Sequence, residues 1–160
     1  DDDRHGEEDR AADELRRLVV RMTTLMNGAN GAGLAATQVG VLRRLFVFHP
    51  GEERTPIALV NPEIVRASGD DRDLEGGLSI PGYVAYVTRR EKVWVVARNR
   101  VGKKIKVAGS GLLGRALQHE LDHLDGKLYI DYLESMDELL PVHGGDEDDV
   151  EVREATSALA

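Results

Sequence analysis

The chain has 160 residues, a formal net charge of -8 and no cysteine. This length supports one domain with its own core, and the lack of cysteine leaves neither disulfides nor thiolate metal clusters available. No apolar run approaches the ~18 residues of a membrane span. We find no basic start followed by an apolar stretch that would suggest a secretory signal, and no cluster of basic residues that would predict nucleic-acid binding. We expect a soluble, cytoplasmic protein.

The acidic residues concentrate at the two ends of the chain. Residues 1–10 carry six acids and two arginines, and residues 144–160 carry six acids and one arginine. Runs of this kind are typical of solvated, mobile segments. We therefore predict an acidic mobile segment at 1–10, a single folded domain at 11–135 and an acidic, disordered tail at 136–160.

The first predicted element is a helix from Ala11 to Asn27, where apolar residues recur at spacings of three and four and Gly28 follows. The next stretch, N-G-A-N-G-A-G, is too rich in Gly and Asn for regular structure and is predicted to be a loop. Five β-branched or aromatic segments then predict antiparallel strands: L-R-R-L-F-V-F-H, P-I-A-L-V-N, Y-V-A-Y-V, K-V-W-V-V-A-R and K-I-K-V-A-G.

A second helix is predicted from about Gly111 to Asp125, with leucines at helical spacing and Gly126 closing it. The element order is helix, several strands, helix and tail. This order favours an α+β domain, with antiparallel strands around a central helix, over alternating parallel units.

The second helix carries H-E-L-D-H. His119 and His123 are four residues apart and share one helical face, so both rings can reach one divalent ion. Glu120 lies beside that ion without binding it, and can move a proton to or from water or a leaving group. Two histidines on an ordinary helix are the alternative, because five letters with two free positions also arise by chance.

The third metal ligand is not evident near this motif. One class of zinc proteases continues H-E-x-x-H-x-x-G-x-x-H, and the chain matches its glycine at Gly126 but has Tyr129 where the third histidine belongs. An unrelated metalloprotease is therefore disfavoured, and the third ligand, if it exists, must come from elsewhere in the chain.

Two loops add chemistry to the helix. The stretch G-A-G-L-A-A-T-Q-V-G at residues 31–40 has glycines that allow a close approach of the backbone, and Gln38 has an amide that can donate to a developing oxyanion. The stretch L-E-G-G-L-S-I-P-G occupies residues 74–82. Each loop alone is weak evidence, because runs of small residues more often mean close packing.

Together, G-A-G-L-A-A-T-Q, E-G-G-L-S and Q-H-E-L-D-H-L-D-G resemble the peptide deformylase family over roughly residues 14–133. The resemblance implies a deformylase-like catalytic domain at 11–135 whose central helix carries the metal. It also implies removal of the formyl group from the N-terminal formylmethionine of newly made polypeptides. The implied cofactor is one divalent ion, Fe²⁺ in the family, with Zn²⁺, Ni²⁺ or Co²⁺ as alternatives.

The resemblance also implies residue roles. His119 and His123 hold the metal, Glu120 is the general acid/base, and Gln38 and the backbone N–H of Leu78 stabilise the oxyanion. Four further residues contact the substrate and three support the metal ligands from behind. The substrate residues are Ala32, Gly33, Gly76 and Ala116; the supporting residues are Glu75, Arg89 and Asp122. Arg115 is expected beside Ala116, with its charged end turned outward and its stem forming part of the methionine pocket; the alternative is that an arginine here indicates a different substrate.

One position departs from the family. The cysteine that supplies the third ligand is replaced by Gly77, which has no side chain to offer, and its loss is expected to weaken metal retention. Four explanations compete: a substitution in an otherwise ordinary enzyme, a relative that has lost metal and activity, solvent or a small ligand at the third position, or a carboxylate from Glu75 or Asp73. The last is the weakest, because the resemblance already engages Glu75 with Arg89.

The expected partners are N-formylmethionyl peptides or nascent chains, with the ribosome as a further candidate and a monomer as the expected state. The alternative function is a ligand-deficient relative that binds N-terminal peptides without turning them over.

Overall fold

The computed structural model describes residues 2–29, 31–51, 55–77 and 79–142. In chain order the elements are α1 (Asp2–Gly28), β1 (Gly33–Ala35), β2 (Leu45–Phe48), β3 (Ile57–Glu75), β4 (Tyr83–Arg98), β5 (Lys104–Ser110), α2 (Gly111–Leu124) and β6 (Leu140–Pro141). Short 3₁₀ helices occupy Ala36–Val39, Tyr129–Tyr132 and Met136–Glu138.

The strands form one antiparallel sheet in the order β1-β2-β3-β4-β5, and β6 pairs with the start of β4. The long β3–β4 hairpin is its largest part, with register pairs from Val60↔Arg98 to Glu75↔Ala85. Helix α2 follows β5 directly and packs against β4 and β5. The predicted α+β class and the antiparallel pairing of the strands are therefore both observed.

The two helices cover opposite sides of β2, because successive side chains of a strand point to opposite faces. On one side, buried residues of α1 pack against Leu45 and Val47. On the other side, Leu117 and Leu121 of α2 pack with Phe46 and with the inward residues of β4. Helix α2 is thus held in the interior, where eight consecutive residues from 114 to 121 are buried.

Helix α1 is longer than predicted. It begins at Asp2, so the expected start at Ala11 was wrong and most of the separate segment at 1–10 is the first part of this helix. These turns are exposed and are supported by local contacts, such as the bond from Arg10 Nε to the Gly6 carbonyl (3.2 Å). They have no apolar stripe to bury, which is the signal used to predict the helix.

The strand boundaries also differ from the prediction. The segments expected as two strands, at 83–87 and 92–98, belong to one continuous β4, and β3 extends to Glu75 instead of ending near Asn61. The polar residues 88–91 concealed this continuity. Arg89 at their centre points inward and is neutralised by Glu75, so the strand crosses the interior without a break.

The chain after α2 is ordered further than predicted. Residues 136–142, expected as the start of the tail, include the last 3₁₀ helix (Met136–Glu138) and β6 (Leu140–Pro141). The remainder of the predicted tail, 143–160, lies outside the described residues. Within the described ranges, no helix is long and apolar enough to cross a membrane.

The crossing of α2 over β5 gives a testable prediction. A Cβ at Gly114 would lie 2.7 Å from the carbonyl oxygen of Gly109, a backbone atom that cannot turn aside. We expect Gly114→Ala to lower the free energy of unfolding by about 1–3 kcal/mol, because α2 must shift off the sheet. Urea unfolding measures the change.

Gly6→Ala is the matched control, because a Cβ at this helical glycine would meet only the end of the Arg10 side chain, at 3.7 Å. Without a clash, alanine should stabilise α1 by about 0.5–1 kcal/mol. Equal effects of the two substitutions would contradict the close approach at Gly114.

Candidate functional site

The site is built on the inward face of α2. His119, Glu120 and His123 are all buried, and their ligand atoms lie within 4.8 Å of one another. The Nε2 atoms of the two histidines are 3.0 Å apart. The predicted motif is therefore not an ordinary surface feature of a helix, because its three polar side chains meet in the interior.

The ring of His119 is held from behind by Glu75. His119 Nδ1 lies 3.0 Å from Glu75 Oε2, and a carboxylate can only accept, so Nδ1 carries the proton and Nε2 presents its lone pair to the site. The ring of Tyr129 stacks beside that of His119, with 6.5 Å between centroids. Its hydroxyl donates to the carbonyl of Tyr83 (3.2 Å).

Glu75 is itself enclosed by cations. Arg89 binds it with two hydrogen bonds, Nε to Oε1 (2.9 Å) and Nη2 to Oε2 (2.6 Å), and also donates to Asp122. Burial alone would raise the pKa of Glu75, but hydrogen bonds from His119 and Arg89 outweigh burial and lower it to about 2. Glu75 is therefore a permanent anion that supports His119.

Arg115 differs from the prediction. Its side chain does not turn outward: it is 2% exposed, and its guanidinium donates to Glu75 Oε1 (3.1 Å) and to the carbonyls of Val87 and Asp71 (2.8 Å each). The buried anion Glu75 attracts the charged end more strongly than the distant solvent does. The neighbouring Ala116 is buried.

Glu120 is the second buried carboxylate, and its environment is the opposite of that of Glu75. Neither oxygen has a hydrogen-bond partner among the residues that the structure describes. Burial, followed by the negative charge of Glu75, raises the pKa of Glu120 well above its usual value. A buried carboxyl group whose pKa is raised in this way is suited to accept and release a proton.

Gly33 of β1 makes room for Glu120. A Cβ at Gly33 would lie 2.9 Å from Glu120 Cγ and 3.0 Å from Oε1. Any side chain at position 33 would thus press on the carboxyl group. The strand approaches the helix closely because this residue is glycine.

Gln38 is oriented by its own loop. Its Oε1 accepts the N–H of Ala35 (2.9 Å), which turns the Nε2 donor toward Ser79 Oγ (3.4 Å). Thr37 Oγ1 donates to the carbonyl of His123 (3.0 Å) and so joins this loop to the end of α2. The structure therefore brings the 3₁₀ helix of Gln38, which ends the first loop, next to Ser79 of the second loop.

The remaining predicted residues fall around these loops. Gly76 and Gly77 are buried, and Leu78, the predicted N–H donor, lies outside the described residues. The carbonyl of Ala32 accepts the N–H of His49 (2.9 Å) and is therefore turned toward β2. Asp122 Oδ2 also accepts the hydroxyl of Tyr132 (2.7 Å).

Three contacts at the site were not predicted: the stacking of Tyr129 on His119, the bond of Thr37 to His123, and the ion pair of Arg115 with Glu75. The last had a signal in the sequence. Arg115 precedes His119 by four residues and so lies on the same helical face. If the histidines of this face point into the interior, Arg115 must point there too. The bond of Thr37 to His123 joins segments 86 residues apart, and the stacking of Tyr129 on His119 depends on how the chain turns back after α2.

The residues fit a divalent metal ion. A separation of 3.0 Å between the two Nε2 atoms is close to the ~3.4 Å expected for two nitrogens that each lie ~2.1 Å from one tetrahedral ion. Glu75 fixes the tautomer of His119 in which Nδ1 carries the proton and Nε2 faces the site, as acidic partners of metal-binding histidines commonly do.

Sequence comparison finds a family and relatives that match most of the chain. A family described as polypeptide deformylase matches residues 4–138. The chain is 46% identical over 140 residues to a peptide deformylase of Dehalococcoides mccartyi, covering 88% of this chain and 84% of that relative. It is 42% identical over 151 residues to one from Thermomicrobium roseum, covering 90% and 86%.

Solved structures give the same result. A peptide deformylase from Legionella pneumophila superposes with a TM-score of 0.74 at 45% identity, over 77% of this chain and 73% of that chain. One from Synechococcus elongatus, in complex with actinonin, has a TM-score of 0.73 at 42% identity, over 79% and 69%.

Replacing each of the two buried glutamates by methionine is predicted to change the free energy of unfolding in opposite directions. Glu120→Met should raise the free energy of unfolding of the metal-free protein by about 1 kcal/mol, because an unpartnered buried carboxyl is removed. Glu75→Met should lower it by about 3–5 kcal/mol, because Arg89 and Arg115 lose their shared anion. Urea unfolding at pH 7 compares them, and destabilisation by both would contradict the environment described for Glu120.

Proposed function

The chain belongs to the polypeptide deformylase family, and we propose that the buried His119–Glu120–His123 group carries the family's reaction in it. It is a hydrolase that removes the formyl group from the N-terminus of polypeptides. The predicted family and the deformylase fold are thereby confirmed. The non-catalytic alternative is not favoured, because relatives over most of the chain are peptide deformylases.

One observation carries the assignment of the reacting residues. Two histidine nitrogens 3.0 Å apart stand next to a buried carboxyl group whose oxygens have no partner in the described part of the chain. The family depends on a metal, and His119 and His123 would hold it here. The ion would polarise the formyl oxygen and acidify water. We propose Fe²⁺, with Zn²⁺, Ni²⁺ or Co²⁺ as substitutes that accept the same imidazole donors.

The protein's own residues then divide the work. Glu120, whose pKa is raised by burial, takes a proton from the attacking water and delivers it to the departing amine. Gln38 Nε2 donates to the oxygen of the tetrahedral intermediate, since its own Oε1 is fixed by Ala35. The backbone N–H of Leu78 is proposed as the second donor.

The peptide of the substrate is proposed to lie along β1. Within the described residues β1 pairs with β2 alone, so its other edge can accept an added strand. Since the carbonyl of Ala32 faces β2, the alternation along a strand turns the N–H and carbonyl of Gly33 toward that open edge. The backbone of Gly76 is proposed to pair with the substrate peptide, and Ala116 is proposed to border the side chain of formylmethionine. Nascent chains in the cytoplasm are the proposed substrates of a monomeric enzyme.

Glu120→Gln tests the proton transfer. This isosteric change removes the titrating group, so kcat for a formyl-Met peptide should fall about 100-fold to 10,000-fold. Metal bound per protein, measured by elemental analysis, should stay at the wild-type level. Glu63→Gln, at an exposed position, should leave both unchanged. Wild-type kcat in the Glu120 variant would remove Glu120 from the mechanism.

Gly77→Cys tests the missing third ligand. The resemblance implies that a thiolate at this position binds the ion, so the variant should retain metal more tightly, by at least about tenfold in dissociation constant. Competition with a chromophoric chelator measures this, and turnover of the formyl peptide is measured in parallel. Unchanged affinity would show that position 77 does not face the metal.

A further inference from the structure

Arg115 connects the metal-binding helix to the sheet through buried contacts. It lies one helical turn before His119 and is 2% exposed. Its Nη1 reaches Glu75 Oε1 (3.1 Å) and the carbonyl of Val87 in β4 (2.8 Å), and its Nη2 reaches the carbonyl of Asp71 in β3 (2.8 Å). One side chain therefore binds both strands of the hairpin and the anion at its end.

The carboxylate of Glu75 is divided between two tasks. Oε1 accepts from Arg115 and Arg89, while Oε2 accepts from Arg89 and from His119 Nδ1. Because each oxygen has two partners, the plane of the carboxylate cannot rotate without breaking bonds to a buried cation. This fixes the direction from which Oε2 meets the imidazole.

The two arginines constrain Glu75 in different ways. Arg89 belongs to β4 and moves with the hairpin, whereas Arg115 belongs to α2 and moves with His119. Arg115 and His119 are four residues apart on one face, so they bind the two oxygens of one carboxylate from one rigid helix. A shift of Glu75 relative to α2 is therefore resisted by Arg115 directly.

We propose that Arg115 is a positioning residue for the metal site: by holding Glu75 against α2, it fixes the ring of His119 so that Nε2 points at the ion. This inference rests on the proposed function, in which His119 is a metal ligand. Partners that orient a ligating histidine commonly change metal affinity by about 10–100-fold when they are removed.

A purely structural arginine would behave differently from a positioning one. Losing it would lower the stability of the protein but leave the folded molecules with an unaltered site. The measurement is therefore the binding of Co²⁺ to metal-free protein, since its visible absorption reports the geometry of its ligands. Thermal unfolding is recorded on the same samples, so that folded protein alone is compared.

Arg115→Met is expected to weaken Co²⁺ binding about 10–100-fold and to alter the Co²⁺ spectrum. Arg115→Lys keeps the buried charge, but its single ammonium group cannot bind Glu75 and both carbonyls in the guanidinium geometry. We expect it to fold close to wild type, with Co²⁺ affinity between those of wild type and Arg115→Met. If the Met variant does not fold, the Lys variant decides the question.

Arg44→Met is the matched control. Arg44 pairs with Asp125 Oδ1 (2.8 Å), directly after the last residue of α2 and at the opposite end of the helix from Arg115. Its loss should leave Co²⁺ affinity and spectrum unchanged. Wild-type affinity and spectrum in folded Arg115 variants would overturn the positioning role, whereas a wild-type protein that binds no Co²⁺ would instead overturn the proposed function.

Discussion

The buried carboxylate of Glu75 is the interaction on which the arrangement of the site depends. It lies at the end of β3 and binds Arg89 of β4 and Arg115 and His119 of α2, so it joins three elements through one group. Apolar contacts tolerate small sliding motions, but a buried ion pair that loses a partner costs about 3–5 kcal/mol. The network therefore admits one register of hairpin and helix, and the inward face of α2 is fixed by it.

The site contains two buried glutamates in opposite electrostatic states. Glu75 has four cationic or imidazole contacts and a pKa lowered to about 2, whereas Glu120 has none of these partners and a raised pKa. Two carboxyl groups whose pKa values are shifted in opposite directions can take different roles, one holding a fixed charge and the other exchanging protons. Gly33 completes the second environment, because a side chain there would push Glu120 out of its position.

Much of this arrangement could be predicted from the sequence, and its limits have physical causes. Helix α2 was predicted almost to the residue, because its leucines recur at helical spacing and Gly126 marks its end. The central part of β4 was missed, because residues 88–91 are polar and Arg89 is compensated by a residue distant in sequence. Arg115 was expected to face solvent, because the charged end of a long side chain usually reaches toward water. That expectation does not allow for a buried anion close to the side chain.

The same network limits what can replace the missing third ligand. Both oxygens of Glu75 are committed to buried arginines, so turning it toward the metal would leave those cations unpaired. Asp73 of β3 is exposed, and its Oδ1 accepts the N–H of Leu74, which holds the carboxylate against the backbone of its own strand. With a glycine at position 77, Glu120 is the described carboxylate that lies with the two histidines. In the proposed mechanism Glu120 moves protons, so a thiolate at position 77 is the group that would add a third ligand without removing Glu120 from that task.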